Sequence, residues 1–221
     1  MKHKETSPTF TPLQSRIFYI IAKNKMLSSQ CYFTGGTALS AFYLHHRESE
    51  DLDFFSENDF DDTYLHDFVN ELSTTLGFSL RYTKRYRSRI CELLKDKKLI
   101  IKVDFVYHPH RLLEKGITHK GITIDSLRDI ATNKLLTVNQ RTEVKDFVDL
   151  YFLLKKFTIW DLIYGIEAKY RMELDTILIA LDFMKAQQFT FLPKMLVPLT
   201  LRELKTFFKK KALEVGKRIV E

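Results

Sequence analysis

Every stretch of this chain that reads as a β-strand lies before residue 126, and everything after it is written at helical spacing. Strands confined to one part must find their partners there, so the first 125 residues should hold one sheet. YFT ahead of Gly35-Gly36, DLDFF, FSLRYTKRY, LIIKVDFVYH and GITI at 121–124 are the strand-like runs. FSLRYTKRY and LIIKVDFVYH are expected to pair antiparallel around the Asp96-Lys97-Lys98 turn. Among them lie three predicted helices. One starts at Thr11-Pro12-Leu13-Gln14 and runs to about Lys25; another covers TALSAFYLHH; the third spans 61–76 and is closed by Gly77. Beyond Ser126, the pairs Ser126/Asp129, Thr158/Asp161 and Thr200/Glu203 mark helix starts. The fold class is therefore α+β: a mixed sheet with helices over 1–125, then an all-helical half over 126–221. With seven glycines and five prolines in 221 residues, no flexible linker separates the two.

Composition narrows the function classes. Two cysteines without CxxC spacing exclude a disulfide framework and a cysteine zinc site, and suit a reducing cytosol. IFYIIA at 17–22 is too short to span a bilayer, so a cytoplasmic protein without membrane attachment is expected. Charge is unevenly laid out. Between Glu48 and Leu80 ten acidic residues occur and no Lys or Arg, whereas RYTKRYRSRICELLKDKK at 81–98 carries eight basic residues against Glu92 and Asp96. Such neighbours are either two solvated faces or a metal site beside a polyanion track.

Three features bear on chemistry. Gly35-Gly36 sits between a strand and a helix, where a missing Cβ lets a phosphate approach the backbone; a plain turn is the other reading. Asp51 and Asp53 are two apart on a strand and so face the same way, with Cα atoms about 7 Å apart. Without a cation they repel; Mg²⁺ (or Mn²⁺) would make them a scaffold. Asp104 interrupts an apolar strand between Val103 and Phe105, and a carboxylate there needs a partner. It can pair with Lys102 on the same strand face, or complete a three-carboxylate metal cradle with Asp51 and Asp53. Three carboxylates beside a phosphate-receiving turn are what two-metal nucleotidyl transfer requires.

GGTAL followed by HRESEDLDFF resembles the nucleotidyltransferase signature of the AbiEii/AbiGii-type toxin family, a branch of the DNA-polymerase-β-like nucleotidyltransferases. The resemblance implies a nucleotidyltransferase-like fold with Gly35 and Gly36 at the nucleotide, Thr37 following them as in this branch, and Asp51, Asp53 and Asp104 as metal ligands. Arg47 and Ser49 also match the branch. LRDIATNKLLTVNQRTEVKDFVDLYFLLKK at 127–156 is similar to the family's second signature. Lys134 and Arg141, seven apart, would share a helix face and could hold a triphosphate. Asp146 corresponds to the family's functional acid and would orient Lys134; Asp149 shares its face.

The resemblance further implies transfer of a nucleotide from an NTP to an RNA acceptor, the 3′ end of tRNA in the better understood branch, by the toxin of a toxin–antitoxin or phage-defence system. The basic 81–98 segment with Tyr82 and Tyr86, and Lys209, Lys210, Lys211, Lys217 and Arg218 near the C-terminus, suit an RNA partner. Three alternatives remain open: an inactive nucleotidyltransferase-fold binding module or antitoxin, an enzyme that AMPylates a protein, and one that modifies an antibiotic.

Overall fold

Alternation of bulk and charge builds the sheet. The computed structural model describes residues 10–217, so Arg218 lies outside the described residues. Seven described strands are β1 (Tyr32–Thr34), β2 (Leu52–Ser56), β3 (Ser79–Lys84), β4 (Ser88–Lys95), β5 (Lys98–Tyr107), β6 (Ile117–His119) and β7 (Ile122–Ile124). They join in the order β3-β4-β5-β2-β1-β7-β6, with β2 parallel to β5, β1 parallel to β7 and the remaining neighbours antiparallel. The sheet is mixed, as the spacing predicts.

Phe33, Leu52, Phe54, Val103 and Phe105 are all fully or almost fully buried. Helix α1 (Pro12–Lys23) buries Ile17, Phe18 and Ile21, and the Phe18 ring lies 5.2 Å from Phe33 and 6.4 Å from Phe54. Phe60 meets the edge of Phe105 at 5.8 Å. Each such side chain removed from water contributes about 1.5–3 kcal/mol, so this aromatic layer is the main stabilising element beneath the strands that carry the acids. No helix among the described residues is long and apolar enough to cross a membrane.

Local signals place several boundaries. Thr11 and Gln14 form the predicted capping box at the start of α1. Asp61 caps α4 (Asp62–Leu76), and Gly77 closes it in the left-handed region at φ 73°. Three expectations need correction. The first helix stops at Lys23 because the Asn24 side chain accepts from Leu27 N and starts a new short helix, α2 (Lys25–Gln30). TALSAFYLHH is not one α-helix: α3 (Gly35–Leu39) widens into a π-helical turn over Ser40–Leu44, and the Tyr43 hydroxyl there donates to the Asp125 carbonyl at 2.7 Å. FSLRYTKRY and LIIKVDFVYH do not pair with each other. RICELLK, read only as part of a charged run, forms β4 between them, and the Asp96-Lys97 turn joins β4 to β5. Arg89, Cys91 and Leu93 are buried on one face and alternate with the half-buried Ser88, Ile90 and Glu92, a strand pattern hidden by the charge.

The described chain divides into two compact units. The sheet unit comprises 10–43, Ser49–Arg111 and Lys115–Asp125; the helical unit comprises Leu44–Glu48, Leu112–Glu114 and 126–217. The helical unit is built from α5 (Leu127–Gln140), α6 (Val144–Leu153), α7 (Ile159–Tyr170), α8 (Thr176–Met184) and α9 (Leu201–Lys217). Its core includes Phe147, Phe183 and Phe208, with ring centroids 5.0 Å apart for Phe147–Phe208 and 5.2 Å for Phe183–Phe208. Ser126, Thr158 and Thr200 each accept from the backbone N–H three residues on.

Polar bonds explain the two short excursions into this unit. Glu48 N donates to Lys194 O at 2.9 Å and Leu196 N to His46 O at 2.9 Å, so 44–48 is held like a strand edge. Asp129 accepts from Leu113 N at 2.9 Å and Glu114 N at 3.1 Å, and pairs with the fully buried Lys169 at 2.6 Å. Burial opposes the Asp129 charge, but Lys169, Ser126 and these amides outweigh it and hold its carboxyl below the ordinary range.

Candidate active site

The acid face of the sheet follows from register. β2 and β5 pair in parallel with Asp53 opposite Asp104, Leu52 opposite Val103 and Phe54 opposite Phe105. The apolar partners are buried, and the period of two sends Asp53, Lys102 and Asp104 to the other side. Asp51 precedes β2 by one residue and stands two before Asp53. Its carboxylate converges with Asp104 on one ammonium: Lys102 Nζ lies 2.9 Å from Asp104 Oδ2 and 3.6 Å from Asp51 Oδ2. The Asp104–Lys102 pair is therefore present, and Asp51 reaches the same ammonium.

Gly35 closes the other side of this face. Its φ is +76°, and a Cβ built there would lie 2.1 Å from Asp53 Oδ2, so only glycine fits against that carboxylate. Thr37 turns its hydroxyl to the Asp51 carbonyl and lies 2.8 Å from Ser49 Oγ. These two predicted nucleotide-side residues thus tie the glycine turn to the entry of β2. Gly36 is buried in α3. Asp125, which sequence reasoning passed over, is fully buried and accepts from Thr34 Oγ1 at 2.7 Å, anchoring the strand end ahead of Gly35.

Electrostatically the face holds more acid than base. Burial raises the Asp104 pKa above the carboxylate norm, and the Lys102 hydrogen bond only partly offsets it. For Lys102, burial works downward, but Asp104, Asp51 and Asp53 outweigh it and keep the ammonium charged. Asp104 Oδ1 is buried with no hydrogen-bond partner among the described residues. An orphaned carboxylate oxygen beside two further carboxylates is the donor class that suits Mg²⁺ or Mn²⁺, so the residues fit such an ion. Among the described residues, no group of three or more His, Cys, Asp or Glu side chains is already gathered to hold a metal; between Asp51 and Asp104 stands Lys102. Glu92, also missed, lies opposite Lys102 in the β4–β5 register and bonds Arg81 at 3.2 Å.

The basic track is only partly open. Arg89 is buried, with Asp62 at 2.7 Å and Asp59 at 2.8 Å, and Lys84 also bonds Asp62. Hydrogen bonds from Arg89 and Lys84 hold the Asp62 carboxyl below its usual range. Part of the acidic run therefore neutralises part of the basic run. The Tyr82 ring packs edge-on against His66 at 5.1 Å. Tyr86, 90% exposed at the β3–β4 turn beneath the Arg87 guanidinium, remains available for stacking.

The second signature forms a separate cluster in the helical unit. Lys134 Nζ contacts Asp146 Oδ1 at 2.8 Å and Asp149 Oδ2 at 2.6 Å. Arg141 is the C-cap of α5 rather than a residue on its face, yet its Nε reaches Asp146 Oδ2 at 2.7 Å. Arg47 grips Asp149 bidentately at 2.6 and 2.8 Å, and His46 Nε2 lies 2.7 Å from Asp149 Oδ1. Burial opposes charge on Asp149, but Lys134, Arg47 and the His46 bond drive its pKa far below normal; Asp146 is lowered as well. Lys134 is almost fully buried, whereas the Arg141 side chain is half exposed.

Comparison with known proteins agrees with this fold. The model of the family described as "Nucleotidyl transferase AbiEii toxin, Type IV TA system" matches residues 19–214. An uncharacterized protein of Aquifex aeolicus (strain VF5), aq_aa25, is 36% identical over 135 residues, 59% of this chain and 60% of that protein. The matched part is thus less than two thirds of that relative. The crystal structure of JHP933 from Helicobacter pylori superposes with a TM-score of 0.58 at 18% identity, covering 93% of this chain and 90% of the other. MenT4, a nucleotidyltransferase toxin of Mycobacterium tuberculosis H37Rv, gives 0.54 at 16% identity over 92% and 82%. At such identities the structures speak for the fold alone, while the family model spans most of the chain: the protein belongs to the AbiEii nucleotidyltransferase toxin family.

Proposed function

We propose that this protein is a metal-dependent nucleotidyltransferase that moves a nucleotide from an NTP onto an RNA acceptor, the 3′ end of tRNA, as the cytoplasmic toxin of a toxin–antitoxin or phage-defence pair. The observation that carries the reading is the in-register pairing of Asp53 with Asp104, with Gly35 pressed against the Asp53 carboxylate. Asp51, Asp53 and Asp104 would hold Mg²⁺ or Mn²⁺, which when bound supplies charge neutralisation at the phosphates and acidifies the acceptor hydroxyl. The bare Cα of Gly35 lets the Asp53 carboxylate pack against the glycine turn. Thr37 and Ser49 hold Asp51 in place through the backbone. The half-exposed Arg141 side chain would meet a phosphate, with Asp146 setting its position and Lys134 holding Asp146. At the β3–β4 turn, Arg85, Arg87 and Tyr86 suit RNA phosphates and an unpaired base.

One observation favours the alternative of an inactive binding module: a lysine ammonium already stands between Asp51 and Asp104. Incubation with each labelled NTP, Mg²⁺ and total RNA separates the readings. Label on tRNA 3′ ends is the expected outcome. Label on protein would instead mean AMPylation, and no label anywhere would mean a binding module.

A further inference from the structure

The Lys102 ammonium occupies the position where a cation shared by Asp51 and Asp104 belongs. It is one-third exposed on a flexible four-carbon stem, so nothing in the core locks it there. A second acceptor lies within reach: Glu92 is its directly opposite neighbour on β4, in the cross-strand position whose side chains sit closest. Glu92 is meanwhile held, among the described residues, by the largely exposed Arg81.

We propose that Lys102 is a resident counter-cation of the carboxylate site, which gives way to a divalent ion by swinging from Asp51 and Asp104 to Glu92 and thereby sets the threshold for ion binding. The inference rests on the reading of Asp51, Asp53 and Asp104 as ion ligands. Without any cation these acids repel one another across adjacent strands; one ammonium relieves part of that repulsion and keeps the strand ends aligned. An ammonium and a divalent ion repel and cannot share the same oxygens. Ion affinity is therefore lowered by the work of moving Lys102, and raised by the presence of a partner for it after it moves. Metal-poor protein stays ordered, and the ion is held more tightly once NTP phosphates contribute further oxygens.

Calorimetric titration of Mn²⁺ into the full chain, free of NTP and RNA, tests this. Lys102→Met and Lys102→Gln should each tighten binding about tenfold, the size expected for removing one like charge beside the ion. Both should also lower the melting temperature of the metal-free protein and enlarge the rise that Mn²⁺ produces. Glu92→Gln should weaken binding about two- to threefold by removing the landing partner. Unchanged or weaker Mn²⁺ affinity in both Lys102 variants would overturn the proposal, since the lysine would then be assisting the ion. Asp104→Asn serves as the control on the site itself. If wild type binds Mn²⁺ and Asp104→Asn does not, the site stands whatever Lys102 does; if neither wild type nor the Lys102 variants bind, site and proposal fall together.

Discussion

Around Asp149, two carboxylates meet three cations and all four of their oxygens have donors; around Asp104, two carboxylates share one ammonium and Asp104 Oδ1 has no hydrogen-bond partner among the described residues. The same residue types thus form a closed cluster in the helical unit and an open one in the sheet unit. A closed buried cluster holds structure together, because removing any member strands a charge. An open one carries stored repulsion, which is useful only if something else arrives to relieve it. Acids that look equivalent in the sequence therefore differ in what their loss should cost.

The sharpest test of the contrast is Asp53→Ala. Nucleotide transfer should fall at least about 10³-fold, because charge compensation at the reacting phosphates is lost. Urea unfolding should show stability unchanged or slightly raised; a large loss would erase the distinction between the clusters. Asp149→Ala should do the reverse, costing about 3–5 kcal/mol in the same urea assay by taking the carboxylate from buried Arg47 and leaving Lys134 with Asp146 alone. It should also flatten the acid limb of stability. Asp146 and Asp149 are held below their unfolded pKa, so their contribution is complete above about pH 5 and drains as pH falls toward the folded values. Wild type should lose stability steeply below about pH 4, the variant less so. Gly35→Ala falls between the extremes: about 1 kcal/mol of backbone strain, but roughly a hundredfold loss of transfer as Asp53 is pushed aside. Arg87→Glu should leave both clusters intact and lower the salt slope of RNA binding by about one to two ions, read by binding at several salt concentrations.

What could be read from the sequence was what neighbours along the chain decide. The Thr11–Gln14 box, the Gly77 stop and the alternation placing Asp53 and Asp104 opposite the core all depend on residues within a few positions. The closed cluster was half visible, because Lys134, Asp146 and Asp149 lie near one another in the chain. Its other half was not, since His46 and Arg47 reach Asp149 across more than a hundred residues. Arg89 read as part of a free basic track for the same reason: its partners Asp59 and Asp62 sit at and just before the start of α4, a helix and a strand earlier in the chain. The π-turn at 40–44 departs from α-helical spacing where Tyr43 bonds Asp125, a contact no periodicity reveals.

The parallel register of β2 and β5 makes assembly self-checking. A one-residue slip of either strand would turn its acid inward and its phenylalanine outward, so such a misregister costs the sheet its core. A molecule that acquires its hydrophobic interior in this register has lined up its acids in the same event.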